Sequence, residues 1–504
     1  MASSSIYSPL KLEPPLVEIR VLEILEIIDD SGSCRLSTAV LDSELRFAAL
    51  SYVGGDASVT QNITVNGRTM AVTSNLAAAL RHIRKHWERK VPEDYKAPFK
   101  LWVDALCINQ DDIQERNQQV CLMKEIYRQA QVIMTWVGCN DERVPLALDT
   151  FELIHRDMRV PNDEDDGFII PSSIRNEPSL CEDDDPHKVP YLRNKRWASL
   201  CFLLDQPYWS RVWVFQENVL ARRLWYVCES RVAYGQATLD VASLMVVLNI
   251  EFERTIRHRP GYLGEGAWMS IASLPIDWGP LARIRQAGGL IGTFAVQPYG
   301  GLTITSKTAA YALANLAAYF RATDPKDYIY GLLGLTKLDI APDYRSTKSV
   351  ADVYCEYVAI LLGTYDKAHP LVDQLHFLLH AGIGCYKGDL GLPSWAPHYP
   401  EGDKRLHFLS AAADHGVFAS LREWPLTTVS KHRLLVVGVS LQRVSQTPNV
   451  PNYDVPTTDP GTSAYACDFI ARHQTYVTGI APLQALYRVC RRNFISRRRI
   501  CYPE

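Results

Sequence analysis

The sequence has no apolar run of bilayer-spanning length, no C-x-x-C pair, no cysteine and histidine cluster at zinc spacing, and no glycine-rich segment followed by Lys-Ser or Lys-Thr in phosphate-loop spacing. These absences exclude a helical membrane span, a zinc ribbon, a thioredoxin-like redox centre and a phosphate-loop nucleotide site. No glycine pattern after a strand reads as a dinucleotide fingerprint either. Excess charge is also lacking: a net charge of -3 over 504 residues gives nucleic acid nothing to recognise apart from a local basic stretch near the C-terminus. The residues after Met1 form no apolar signal segment, and the twelve cysteines, scattered from Cys34 to Cys501, read as reduced thiols. A cytoplasmic protein is the expectation.

What is present belongs to an ordinary folded chain. Hydrophobic residues make up 47% of the sequence and charged residues 22%, and the length is past the size at which one core stops growing. Three units are expected: residues 1–230, an α/β domain with an acidic insertion near 158–190; residues 231–390, mainly helical; and residues 391–504, mixed α and β with a basic tail. Phe47 to Val53 is a compact apolar run stopped by Gly54-Gly55 and predicts a buried strand. Asn66-Gly67 predicts a tight hairpin between Ile63–Val65 and Met70–Val72, after which Ser74 can cap a helix with Leu76, Leu80, Ile83 and Trp87 on one face. Leu101 to Asp104 and Gln131 to Val137 predict two further strands. Between them Asp112 and Glu115 form a capping pair for a helix carrying Ile113, Val120, Met123, Tyr127 and Ala130. Strand, helix and strand in this order imply a parallel crossover and a doubly wound parallel sheet.

In such sheets ligands sit beyond the carboxyl ends of the strands. Ser51 and Tyr52 end the first strand, and Asp104 ends the second with Asn109 and Gln110 just after it, so these five are candidate ligand-binding residues. Capping and loop closure are the alternative reading for Asp104 and Asn109. Glu217 lies among aromatic residues, where burial would raise its pKa into the range useful for proton transfer. Its alternative is a structural ion pair with Arg211 or Arg222. His376 and His380 have the spacing of a metal pair, but no glutamate follows the first and the intervening residues are apolar, so no metal site is expected. Cys501, behind Arg497 to Arg499, fits a prenylation pattern poorly, and a solvated basic tail is expected there.

Several segments resemble one family. Ala49 to Asp56 (ALSYVGGD) is similar to the opening motif of fungal heterokaryon incompatibility (HET) domains, and Leu101 to Gln110 (LWVDALCINQ) to their central motif. Glu115-Arg116, Gln119-Val120, Met123, Ile126-Tyr127 and Ala130 continue in register, and Tyr208 to Trp213 with Gln216-Glu217 resembles the third block. Asp324 to Leu335, Pro342 to Tyr344 and Leu392 to Trp395 resemble segments that follow the domain in long members. One departure is Gly54, where the family usually has Trp. The resemblance implies a TIR-like fold and a role in allorecognition and programmed cell death, through a protein partner or homo-oligomer. By analogy with TIR domains that cleave NAD, it also implies a catalytic Glu217, Trp213 or Tyr52 as a stacking aromatic, and NAD as a substrate with no cofactor required. Three functions follow: a signalling module, an NAD glycohydrolase, or a fold recruited into fungal secondary metabolism with a small-molecule ligand.

Overall fold

The computed structural model describes mainly residues 17–28, 31–90, 99–138, 141–156, 178–181, 194–242, 320–336 and 338–363, with short stretches near 6–10, 390–399 and 427–436. Its centre is a nine-stranded sheet. In chain order the strands are β1 (Glu18–Ile28), β2 (Ser31–Val40), β3 (Ala48–Tyr52), β4 (Thr60–Val65), β5 (Arg68–Thr73), β6 (Lys100–Trp102), β7 (Val132–Trp136), β8 (Leu224–Val227) and β9 (Val232–Tyr234). Their spatial order is β5-β4-β2-β1-β6-β3-β7-β8-β9.

The inner strands β6, β3, β7 and β8 are mutually parallel. Every residue of β3 and β7 is buried, the pattern of strands covered on both faces, and it explains why their sequences are apolar but for Ser51 and Thr135. The sheet as a whole is mixed, which corrects the expectation of a purely parallel one. Antiparallel β1 pairs with β6, antiparallel β9 closes the other edge, and the hairpin β4–β5 extends the sheet beyond β2. The sequence reading had no place for β1 and β2. Ile19 to Leu22 are all buried, arginine included, so no alternation marks the strand.

The local predictions meet specific physical tests. Asn66 and Gly67 take positive φ values of 52° and 75°, the conformation that a two-residue hairpin needs. Helix α1 (Ser74–Lys90) buries Leu76, Leu80, Ile83 and Trp87. At its start the Thr73 hydroxyl accepts from the Leu76 N–H, while Ser74 donates to the Val59 carbonyl, so the expected cap lies one residue earlier. After the short helix α2 (Asp104–Cys107) comes α3 (Ile113–Gln129), capped by Asp112, whose side chain accepts from the Glu115 N–H. Ile113 is exposed and Val120 half-buried; the buried stripe is Gln119, Met123, Ile126 and Tyr127. The first turn of α3 is held by polar contacts instead.

Further on come α4 (Arg143–Arg156), α5 (Pro178–Cys181), α6 (Lys195–Leu204), a 3-10 turn at Pro207–Ser210, α7 (Val212–Leu220), α8 (Asp327–Tyr330) and α9 (Val350–Gly363). Most of the acidic segment 158–190 lies outside the described residues, but α5 within it is anchored: Leu180 is buried, and its carbonyl accepts from the Trp197 indole at 2.8 Å. His376, His380, the glycine-rich stretches at 261–266 and 288–292, and the C-terminal basic stretch also lie outside the described residues. By internal contacts the chain divides into units 1–353 and 354–504. In the second, Tyr354 and Tyr357 pack their rings 5.8 and 6.4 Å from Tyr399, and β10 (Thr427–Ser430) pairs antiparallel with β11 (Arg433–Val436). Among the described residues no helix is long and apolar enough to cross a membrane.

Candidate functional site

Parallel register brings the first two motifs together. Ala49 of β3 pairs with Trp102, the last residue of β6; Asp104, expected at the end of that strand, instead opens α2 two residues later, just beyond the strand end. Tyr52 faces Trp136 at the end of β7. The carboxyl ends of three adjacent parallel strands thus meet at one edge, and α7 brings Glu217 to it.

Glu217 is 5% exposed and Ser51 1% exposed. The Ser51 hydroxyl donates to Glu217 Oε2 and lies 2.8 Å from the Tyr208 hydroxyl. Tyr208 also meets Thr135 Oγ1 at 3.1 Å and accepts from Asn218 Nδ2 at 3.0 Å, and Asn218 Oδ1 accepts from the Tyr226 hydroxyl at 2.7 Å. One proton assignment satisfies all of these groups. Ser51 gives its single proton to Glu217, Tyr208 gives its own to Ser51, and Tyr208 accepts from Thr135 and Asn218. The Tyr127 hydroxyl also hydrogen-bonds Glu217.

The charges follow from this burial. Loss of solvent pushes the Glu217 carboxyl up to about 7, against the opposing pull of the Arg211 guanidinium and the Ser51 hydrogen bond, with Asp104 adding to the rise. Asp104 is raised by the same desolvation and again opposed by Arg211. Burial alone would lower Arg211, but the Glu217 and Asp104 carboxylates raise it. Tyr52 and Tyr208 are held well above the ordinary phenol range by burial. Arg211 also donates from its guanidinium to the Tyr52 carbonyl, which ties α7 to the end of β3. Of the two partners expected for Glu217, Arg211 is the one whose charge acts on it.

The other predicted residues are placed around this cluster. Asp104 accepts from the Ala105 N–H at 2.7 Å, and its carbonyl accepts from Gln110 Nε2 at 3.1 Å, so Gln110 closes the α2 turn. Asn109 donates its backbone N–H to Glu115 Oε1 at 2.6 Å. Trp213 is directed to a second cluster, where its indole donates to Asp327 Oδ2 at 2.9 Å. Ser51, Tyr52, Asp104 and Glu217 therefore form one constellation, Asn109 and Gln110 shape the loop beneath Asp104, and Trp213 bonds elsewhere.

Sequence reasoning missed Thr135, Tyr127, Asn218 and Tyr226. A signal existed for Thr135: a lone hydroxyl in the otherwise apolar Val132–Trp136 must find a buried partner. It also missed Arg20, whose guanidinium is 1% exposed and grips Glu115 at 2.5 and 2.9 Å while donating to the Cys107 carbonyl at 3.1 Å. Beside Gly54 there is open space: a Cβ added there would meet nothing within 4 Å. Among the described residues no group of three or more His, Cys, Asp or Glu could hold a metal ion.

Comparison with known proteins accounts for these motifs. The family model "Heterokaryon incompatibility protein (HET)" matches residues 47–217, from the residue before β3 to Glu217 itself. The chain is 26% identical over 426 residues to "Heterokaryon incompatibility protein 6, OR allele" of Neurospora crassa, an alignment covering 78% of this chain and 59% of that protein. The chain thus spans about six tenths of the length of the curated relative it matches. No solved structure matches. With the motif residues meeting at the strand ends and the family match ending on Glu217, the chain carries a HET domain at residues 47–217.

Proposed function

We propose that this protein signals in fungal heterokaryon incompatibility, bringing about programmed cell death through a TIR-like α/β module that self-associates or binds a protein partner. One observation carries the reading. Ser51, Tyr208 and Glu217 are 1%, 1% and 5% exposed and satisfy one another, so the crevice at the strand ends is filled by the protein's own side chains. A module that works by contact needs no open cavity, whereas an enzyme does. The incompatibility function in the name of the Neurospora crassa relative supports the same reading, and the four parallel inner strands support the TIR-like description. The test is inducible expression of the full chain in a filamentous ascomycete. Growth arrest with entry of a membrane-impermeant dye is expected; growth equal to that of cells carrying an empty vector would overturn the proposal.

A second reading, an NAD glycohydrolase, is favoured by the carboxyl of Glu217, held near 7 beside Tyr52, Asp104 and Arg211. Cleaving the nicotinamide-ribose bond builds cationic character on the sugar, which a carboxylate stabilises. Admitting the substrate requires α7 to shift, because Glu217 is buried. Nicotinamide release from NAD by purified protein, lowered about a hundredfold or more in Glu217→Gln, is the expected result of this reading. No release from either form removes it.

A further inference from the structure

The segment 320–345 lies far along the chain from residues 47–217, yet it is joined to the start of α7 at successive positions. Arg321 forms a parallel bridge with Arg211: its carbonyl accepts from the Val212 N–H at 2.8 Å, and its N–H donates to the Ser210 carbonyl. The Phe320 ring lies 5.2 Å from Phe215. Asp327 accepts from the Trp213 indole at 2.9 Å, and the Gly334 N–H donates to Gln216 Oε1 at 3.1 Å. Residues 210–216 are therefore gripped along both backbone and side chains, and the next residue is Glu217.

The same segment reaches α3. The Tyr344 hydroxyl donates to the other Asp327 oxygen at 2.6 Å, and the Tyr344 N–H donates to Asn117 Oδ1 at 3.0 Å. The Arg116 guanidinium sits 3.7 Å over the Tyr344 ring. Asp327, 7% exposed, thus joins a tryptophan of α7 to a tyrosine seated on α3. One glycine permits the close approach to α7: a Cβ on Gly334 would come within 2.6 Å of Gln216.

We propose that residues 320–345 form a clasp that sets the position of α7, and that Asp327 is its positioning residue, acting on Glu217 through Trp213. Arg211 and Glu217 stand at either end of the gripped segment, and both act on the Ser51–Asp104 edge. Loosening the clasp lets α7 shift and water reach the Glu217 carboxyl. The inference goes beyond the signalling proposal and does not depend on it, because its readout is the state of one carboxyl and one helix.

The test uses the full chain labelled with 13C at the glutamate carboxyls, the Glu217 resonance being identified by its loss in Glu217→Gln. Trp213→Phe deletes the indole donor and Asp327→Ala both acceptors. Each is expected to lower the Glu217 titration midpoint by about one unit and to speed amide exchange over residues 212–220, leaving β4 unchanged. Asp327→Asn retains an acceptor for Trp213 and gives Tyr344 a donor, so it is expected to rescue both readouts, as a purely charge-dependent contact would not. Tyr344→Phe removes one hydroxyl and supplies the same comparison if Asp327→Ala does not fold. Unchanged Glu217 titration and unchanged α7 exchange in Trp213→Phe and Tyr344→Phe would overturn the clasp.

Discussion

Arg20 and Glu115 form a two-armed ion pair, at 2.5 and 2.9 Å, between a strand outside the HET match and the first turn of α3 inside it. Around that pair gather the Leu10 carbonyl, the Cys107 carbonyl, the Asn109 N–H and the Tyr7 ring. Glu115, read from its spacing as the second member of a capping pair with Asp112, sends its side chain instead to Arg20 and the Asn109 N–H and so fastens the central motif loop to β1.

Removing one partner of this pair leaves the other buried and uncompensated. Arg20→Met is expected to cost about 3–5 kcal/mol. Arg35→Met, whose guanidinium is mostly exposed and 3.3 Å from Glu23, is expected to cost under about 1 kcal/mol. Chemical denaturation of both variants checks the contrast, and equal midpoints would show that the Arg20 pair contributes no more than a surface one.

The hydroxyl chain beyond Glu217 makes a second prediction. Asn218 donates to Tyr208 and to the Val214 carbonyl and accepts from Tyr226, all in the interior. Asn218→Ala leaves several of these groups short of a partner and is expected to destabilise by about 2–3 kcal/mol, while Tyr226→Phe, which removes one end of the chain, costs about 1 kcal/mol. A double-mutant comparison in urea checks the order, and a larger loss from Tyr226→Phe would contradict this network.

The inner sheet was legible because its signals are local. Phe47–Val53, Asn66-Gly67 and the Asp112 cap each carry their cause within a few residues. Ser51, Tyr52 and Asp104 met because parallel strands align their carboxyl ends, so sequence order sufficed to place them. The contacts that complete the site were hidden because both partners must be known before either is informative. Arg20 resembles any strand arginine until Glu115, 95 positions away, is seen beside it. The same holds for Trp213 and Asp327, separated by 114 positions; an aromatic next to a carboxylate-bearing helix reads as a stacking group when its indole partner lies that far along the chain.

Gly54, where similar sequences usually carry Trp, tests whether the departure shapes the fold. Its Cβ position is open, and its φ is not among the positive values, so Gly54→Trp is expected to change stability by no more than about 0.5 kcal/mol. Its neighbour behaves differently. Gly55 holds φ at +77° with Asn75 Cβ 3.3 Å from the added atom, so Gly55→Ala is expected to cost about 1–2 kcal/mol. Thermal melts of the two variants check this, and a Gly54→Trp variant less stable than Gly55→Ala would show that the loop is tighter than its geometry indicates.

The last prediction concerns how stability depends on pH through Glu217. Burial raises its folded-state pKa from 4.5 to about 7, so the folded protein holds a proton that the unfolded chain has already released between those values. Stability from this group is complete below the unfolded pKa and is lost as pH rises through the folded one. The loss is on the order of a few kcal/mol, opposed in part by Arg211 and by the Ser51 hydrogen bond to the charged form. Glu217→Gln is neutral throughout and escapes it. Its melting temperature is therefore expected to match wild type or fall slightly below it at about pH 5, where Gln lacks the donor of a protonated carboxyl, and to exceed wild type at about pH 8. A structural ion pair with Arg211 as the dominant interaction predicts the opposite slope, with Glu217→Gln losing most at high pH, where the carboxylate is fully charged. Melting curves of both proteins across this range decide between the two, and a difference that does not change with pH would mean that Glu217 titrates alike in the folded and unfolded chain.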